Sequence, residues 1–161
     1  MTDTPWHEGI PIPALMLGAR GSYGDVSREA LADAGFDDLP RRAGFVIAGL
    51  DESEPESQYT GQAEAVAFLA MSPQASSKLI DTLVVRGYLE RDVDPDDRRR
   101  MSIRLTARGR AASAAIQRGV DAVDAALAEK VTPAELRGLR AGLAALAEIR
   151  RAHRAAAMNK R

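Results

Sequence analysis

The 161-residue chain contains no cysteine, only two histidines and few aromatic residues, which make up 4% of the sequence. The absence of cysteine excludes disulfides, thiolate metal sites and thiol-based redox sensing. His7 and His153 lie near opposite ends of the chain without a cluster of ligands beside either, so we predict no metal site. Neither a serine, histidine and carboxylate grouping nor a phosphate-binding loop occurs, so we expect no catalytic residue, no cofactor and no enzymatic activity.

Long apolar runs are also missing, since none approaches the roughly 20 residues that a membrane helix needs. The first residues lack the basic segment and apolar run of a signal peptide, so the expectation is a cytoplasmic protein without membrane contact. The length favours a single domain, residues 1–161. Hydrophobic residues make up 45% of the chain and many are alanine, which favours long, closely packed helices.

Charge is distributed unevenly along a chain whose net charge is only −1. Residues 1–71 hold 4 basic and 12 acidic side chains, residues 72–110 hold 9 and 6, and residues 111–161 hold 9 and 5. Because salt screens the field of a charge within about 8–10 Å, phosphate binding needs only a local excess of positive charge. The middle segment is therefore the first place to look for a nucleic-acid interface.

The first fifty residues predict two helices, at 14–34 and 40–50. Three glycines occur at three-residue spacing in the first helix, and they would either kink it or let another helix approach closely. These glycines are Gly18, Gly21 and Gly24. A third helix is predicted from Thr60 to Ala70, after an acidic loop.

Residues 72–106 have the pattern of a helix followed by a hairpin. Ser72 and Pro73 favour a helix start, with serine at the N-cap and proline at the first helical position, and Gly87 favours its end. Strand-like runs at 88–93 and 101–106 flank a proline- and aspartate-containing turn. Two further helices follow, at 107–129 and from Thr132 to Ala157, the second starting with the capping box of Thr132 and Glu135. The element order predicts a mainly α fold with a small β-hairpin wing, a winged helix-turn-helix.

On a helical wheel, the helix after Ser72 has an apolar side and a polar side. Leu79, Ile80 and Leu83 gather on the apolar side together with Ser76. A helix with short polar groups opposite its core side fits a DNA major groove, although an ordinary solvated helix has the same pattern. The polar side carries Gln74, Ser77, Lys78, Asp81 and Thr82.

The tip of the predicted hairpin carries Arg98, Arg99 and Arg100. Adjacent guanidiniums repel one another, so a phosphate-rich partner would stabilise them, and arginine suits the negative potential of a narrow minor groove. The alternative is a solvated charge run, neutralised by the aspartates of the same turn. The arginine run favours contact with DNA.

The segment from Leu83 to Gly109 resembles the wing signature of MarR-type (multiple antibiotic resistance) regulators. The specific elements are Asp97-Arg98-Arg99, then a strand, then Leu105-Thr106-x-x-Gly109. The resemblance implies N-terminal helices at 14–50, a winged helix-turn-helix lobe at 58–106 and C-terminal dimerisation helices at 107–157. It also implies a homodimer on a palindromic operator in double-stranded DNA, with recognition helices in major grooves and wings in minor grooves.

The resemblance assigns roles to individual residues. It implies that Asp81 pairs with Arg91 at the root of the wing and orients the hairpin. Ser76 remains a weaker DNA-contact candidate, because the wheel turns it inward. The implied DNA-binding residues are Gln74, Ser76, Ser77, Lys78, Thr82, Arg98, Arg99 and Arg100. The chain departs from the family pattern at Ala67, Phe68 and Ala70, which implies fewer phosphate contacts and a modest affinity.

Both predicted C-terminal helices carry apolar stripes that need a partner surface. Intramolecular packing is one solution, and a dimer is the one we favour because a two-fold protein reads two half-sites. The stripes consist of Ala112, Ile116, Val120, Val123 and Leu127, and of Leu136, Leu139, Leu143, Leu146 and Ile149.

The family commonly responds to small aromatic or anionic compounds. By resemblance, Arg20, Tyr23 and Phe45 are candidates to line such a ligand site, and a structural role is equally open to each. The sequence thus predicts a DNA-binding transcriptional regulator, a repressor released by a small ligand. The alternative is a protein-interaction module that retains the fold and binds DNA weakly or not at all.

Overall fold

A computed structural model of the chain describes residues 5–50, 72–93 and 101–158. The described helices and strands follow the predicted order. They are α1 (Ile12–Asp33), α2 (Ala43–Gly49), α3 (Pro73–Val85), β1 (Leu89–Val93), β2 (Met101–Leu105), α4 (Ala107–Ala128) and α5 (Pro133–Met158). This mainly helical fold with one hairpin confirms the predicted fold class. The predicted helix from Thr60 to Ala70, with Ala67 and Phe68, lies outside the described residues, as does the tip of the wing.

Helix α1 differs from the expectation of a kinked or closely packed glycine helix. It runs without a break through all three glycines. A Cβ built at Gly18 or Gly21 would meet nothing within 4 Å, and one at Gly24 would meet only the far end of the Arg28 side chain, at 3.9 Å. These glycines therefore do not mediate close helix packing among the described residues.

Helix α2 is shorter than the predicted 40–50. Pro40 precedes it in a turn, where the amide of Ala43 donates to the carbonyl of Pro40 at 2.8 Å. Val46 and Ile47 of α2 are buried.

Strands β1 and β2 pair antiparallel, with Leu89 opposite Leu105 and Arg91 opposite Ile103. Side chains alternate between the two sides of a strand, so the paired leucines at the base of the hairpin point together into the core. Both leucines are buried. The hairpin is thereby anchored at its base, next to α3 and α4.

The described core draws on α1, α2, α3, the base of the hairpin and the first half of α4. Tyr88, Ile47, Leu83 and Leu89 are its largest fully buried side chains. The other buried apolar members are Leu31, Ala43, Val46, Ile80, Leu105, Ala112, Ala115 and Ile116. Alanine at positions 43, 112 and 115 lets the helices pack closely, as the composition predicts.

The chain forms two compact units, residues 1–121 and 122–161. Helix α5 belongs to the second unit, and its start has the expected capping box. Thr132 Oγ1 accepts from the amide of Glu135 at 3.3 Å, and a carboxylate oxygen of Glu135 accepts from the amide of Thr132 at 2.8 Å. The bond from the Thr132 amide is the main cause that lowers the pKa of Glu135, and the Thr132 hydroxyl, which donates to the same carboxylate oxygen at 2.7 Å, adds to it. In the part of the chain that the structure describes, no helix is long and apolar enough to cross a membrane.

Candidate nucleic-acid interface and ligand cavity

Helix α3 begins and ends where its local sequence dictates. Ser72 is its N-cap and accepts a hydrogen bond from the amide of Ala75 at 3.2 Å, which satisfies one of the free amides of the first turn. At the other end Gly87 has a φ of 71°, a conformation that costs glycine little. The chain therefore leaves the helix and enters β1 within a few residues.

Helix α3 presents a polar, exposed side opposite its buried side. Gln74, Ser77 and Lys78 are exposed, whereas Ile80 and Leu83 are buried. The exposed side carries amide, hydroxyl and ammonium groups, which can exchange hydrogen bonds with base edges and phosphates.

Two of the predicted DNA-contact residues on α3 are less available than the rest. Thr82 is half-buried, and its hydroxyl donates to the carbonyl of Lys78 at 2.8 Å. Ser76 retains an exposed fraction of only 6%, and its hydroxyl has no hydrogen-bond partner among the described residues. The expectation that Ser76 contacts DNA is therefore wrong as a direct contact, and the helical wheel placed it correctly on the core side.

An ion pair joins α3 to the root of the wing. Arg91 of β1 donates to Asp81 of α3, and both side chains remain about half exposed. An exposed pair of this kind contributes little to stability, typically below about 1 kcal/mol. The pair nevertheless links α3 to β1 near the point where the helix and the hairpin meet. Arg98, Arg99 and Arg100 lie outside the described residues.

The hairpin is closed at its base by Thr106 and Gly109. The Thr106 hydroxyl donates to the carbonyl of Gly87 at 2.6 Å and accepts from the amide of Gly109 at 3.0 Å, so it caps α4. A Cβ at Gly109 would collide with the carbonyl oxygen of Tyr88. This gives a physical reason for the Leu-Thr-x-x-Gly pattern in the sequence.

A polar cluster that the sequence analysis did not identify lies beside this base, and we name it the Tyr88 cluster after its central residue. The Tyr88 hydroxyl donates to Asp38 Oδ1 at 2.5 Å. Arg108 Nη2 donates to the same Asp38 oxygen at 2.9 Å and to the Tyr88 hydroxyl at 3.2 Å. The Arg108 guanidinium also lies 4.7 Å from the centre of the Tyr88 ring, within range of a cation–π interaction.

The cluster shifts the pKa values of its members. The hydrogen bond from Tyr88 is the main cause that lowers the pKa of Asp38; desolvation opposes it, and the charge of Arg108 assists. Burial is the main cause that raises the pKa of Tyr88, with the hydrogen bond to Asp38 adding to it. At neutral pH the cluster therefore consists of a carboxylate, a neutral phenol and a guanidinium.

A cavity of about 500 Å³ lies between α1, the turn before α2, α2 itself and α4. Two of the three predicted ligand residues, Arg20 and Tyr23, line it, and the side chain of Phe45 is not described. Gly21 and Gly24 line it as well, and their missing side chains leave its α1 wall open. The other lining residues are Leu17, Ser27, Arg28, Leu31, Leu39, Pro40, Arg41, Gly44, Ala48, Ile116 and Val120.

The cavity wall is largely apolar and carries three guanidiniums. Arg20, Arg28 and Arg41 line it, and none of its described lining residues is acidic. Arg28 is paired with Asp25 on the same helix. The arrangement suits an apolar ligand with a negative group. Sequence reasoning missed Arg28 and Arg41, since only the packing of α1 against the turn before α2 brings them together.

Comparisons with known proteins agree with this geometry. A family model described as the MarR family matches residues 37–100. A MarR-family transcriptional regulator from Rhodococcus sp. RHA1 is 24% identical, with a TM-score of 0.62, over 84% of this chain and 93% of that one. No curated protein matches the sequence.

Two further solved structures are similar and were determined with a bound partner. CouR from Rhodococcus jostii RHA1, bound to p-coumaroyl-CoA, is 25% identical with a TM-score of 0.65, over 86% of this chain and 92% of that one. The MepR–DNA complex from S. aureus is 19% identical with a TM-score of 0.65, over 86% of this chain and 97% of that one. Together with the wing signature and the α3–hairpin geometry, these findings show that the chain has the fold of MarR-family transcriptional regulators and is similar to that family over residues 37–100.

Proposed function

We propose that this protein is a sequence-specific DNA-binding repressor that acts as a homodimer and is released from DNA by a small ligand. The observation that carries the DNA-binding part is the exposed polar side of α3. Gln74, Ser77 and Lys78 stand on it with exposed side chains. The cap at Ser72 defines the start of this helix, and the ion pair between Asp81 and Arg91 links it to the hairpin.

The role of the wing follows from the charge pattern of its tip. Arg98, Arg99 and Arg100 would reach the minor groove while α3 occupies the adjacent major groove. Arg91 is held by Asp81 and serves to orient the wing. The MepR structure in complex with DNA supports this use of the shared fold.

Exposed apolar side chains support the homodimer. On α5, Leu139, Leu143, Leu146 and Ile149 keep exposed fractions of 47%, 43%, 40% and 56%. They recur at helical spacing on one side of the helix, whereas single exposed apolar residues elsewhere need no explanation. On α1, Ile12 and Leu17 are exposed as well. A second copy of the chain would cover such surfaces, and a two-fold dimer would match a palindromic operator.

The cavity supports release by a ligand. Its volume of about 500 Å³ lies within the range of about 300–1,000 Å³ that is typical of small-molecule sites. Arg20, Arg28 and Arg41 would bind an anionic group, and the apolar wall would cover an aromatic or acyl body. CouR bound to p-coumaroyl-CoA is a structural relative whose ligand combines these features.

Binding to genomic DNA fragments at two salt concentrations tests the proposal. We expect affinity to fall steeply as salt rises, because phosphate contacts release counterions, and a subset of fragments to be retained selectively. The double variant Arg98→Ala, Arg99→Ala should bind more weakly. If no fragment binds at low salt, the protein does not bind DNA as proposed, and a protein-interaction role becomes the better explanation.

A further inference from the structure

The turn between α1 and α2 contributes to the cavity and to the Tyr88 cluster at adjacent positions. Leu39, Pro40 and Arg41 line the cavity. Asp38, the residue directly before them, accepts from the Tyr88 hydroxyl and from Arg108. Any displacement of this segment by a ligand would therefore change the position of the Asp38 carboxylate.

Tyr88 lies where α3, the hairpin and the start of α4 meet. Its amide donates to the carbonyl of Leu83 at 2.9 Å and so closes the end of α3. Its carbonyl accepts from the amide of Thr106 at 3.1 Å, and β1 begins at the next residue. A movement of Tyr88 is thus passed by backbone bonds to α3, to the hairpin and to the start of α4.

The contacts of the phenol are directional, in contrast to the apolar packing around its ring. Hydrogen bonds weaken steeply when distance or angle departs from the optimum, whereas apolar contacts tolerate small shifts. Arg108 bonds both other members and is itself the second residue of α4. The cluster therefore has a well-defined bonded arrangement that a shift of Asp38 would break.

We propose that the Tyr88 cluster couples occupancy of the cavity to the orientation of the wing and of α3, with Asp38 and Arg108 as positioning residues. This inference rests on the proposed ligand response and names the residues that transmit it. Filling the cavity would move Leu39 to Arg41, displace Asp38 from the phenol and loosen the base of the hairpin. Coupling of this kind needs an element with two states. Here one state is the Tyr88 cluster with its hydrogen bonds formed, and the other is the cluster with Asp38 separated from the phenol.

The absence of cysteine allows a test that needs neither the natural ligand nor the operator. In the variant Gly24→Cys the only thiol lies on the cavity wall, and N-phenylmaleimide attaches an aromatic group there, with mass spectrometry giving the labelled fraction. Gly18→Cys is the matched control, because Gly18 lies on the same helix with open space around it and does not line the cavity. Hydrogen exchange of the amides at 89–93 reports on the root of the wing.

We expect labelling at position 24 to raise exchange at 89–93 by about fivefold or more, the lower end of usual coupling strengths. Labelling at position 18 should change it by less than about twofold on the same scale. Adding Tyr88→Phe, which keeps the ring and removes the hydroxyl, should abolish the difference between labelled and unlabelled protein. Asp38→Asn provides a second test should the Phe variant fold poorly.

Two results would overturn the inference. One is unchanged exchange at 89–93 after complete labelling of the Gly24→Cys protein. The other is that labelling at position 24 raises hydrogen exchange at 89–93 equally in proteins with and without the Tyr88→Phe substitution. Neither result tests DNA binding. The proposed regulator function is tested separately, by the salt dependence of DNA binding.

Discussion

Gly119 of α4 lies directly against the backbone of Ser27 in α1, so that a Cβ at position 119 would be 2.7 Å from the Ser27 Cα. Neither backbone can move without separating two helices that share the core. We expect Gly119→Ala to destabilise the protein by about 1–3 kcal/mol, as overpacking does. This loss exceeds the gain of about 1 kcal/mol that alanine brings to a helix interior.

Denaturant unfolding measures this effect, and Gly138→Ala on α5 is the matched control. A Cβ at Gly138 would meet nothing within 4 Å, so the same substitution there should stabilise or leave stability unchanged. Equal effects at the two positions would contradict the close helix contact.

The N-cap of α3 gives a second prediction. Ser72→Ala removes the hydroxyl that accepts from the amide of Ala75, and we expect a loss of about 1 kcal/mol. Ser77→Ala makes the same change at an exposed position of the same helix, where it should cost less than 0.5 kcal/mol, about the limit for surface substitutions. Thermal or urea unfolding of both variants would show whether the cap stabilises the helix as the geometry requires.

The Tyr88 cluster predicts a pH dependence of stability. The folded pKa of Asp38 lies below the ordinary value of 3.8, so its stabilising effect is complete above that value and is lost as the pH falls through the folded pKa. We expect the difference in unfolding free energy between the wild type and Asp38→Asn to be constant from pH 7 to about 5 and to narrow below about 4. A difference that widens on acidification would contradict the lowered pKa.

The exposed side of α3 predicts a distinct role for Lys78. If its ammonium binds a phosphate, Lys78→Ala should weaken binding about equally across DNA sequences and reduce the salt slope by about 1. Lys130→Ala removes an exposed lysine in the turn after α4 and should leave both quantities unchanged. If Lys78→Ala instead changed which DNA fragments are preferred and left the salt dependence of affinity unaltered, Lys78 would be assigned to base recognition.

The apolar stripe of α5 predicts the oligomeric state. Leu143→Glu places a charge within the stripe, and sedimentation at micromolar concentration should then show a monomer where the wild type is a dimer. Ala141→Glu is the matched control, since two residues correspond to about 200° around the helix and place the charge on the other side. Dimers in both variants would mean that another surface holds the two copies together.

Much of the local structure could be predicted because its signals lie a few residues apart. Ser72 bonds to the amide three positions on, Thr132 and Glu135 bond each other across one turn, and Gly87 has the left-handed backbone that ends a helix. The wing signature around Thr106 and Gly109 was likewise recognisable, and the structure supplies its steric reason.

Contacts between distant segments could not be predicted, since no local pattern encodes them. Asp38 and Tyr88 are separated by 50 positions, and Gly119 meets Ser27 only because α1 crosses α4 there. The sequence predicted that the glycines of α1 would either kink it or let another helix approach closely, whereas two of these glycines line the cavity instead. The sequence alone thus determined the order of the described elements, several of their ends and the resemblance to the MarR family, through short-range hydrogen bonds and backbone preferences. Only the tertiary structure decided where the cavity lies and which charges meet beside it, because both depend on how the helices pack.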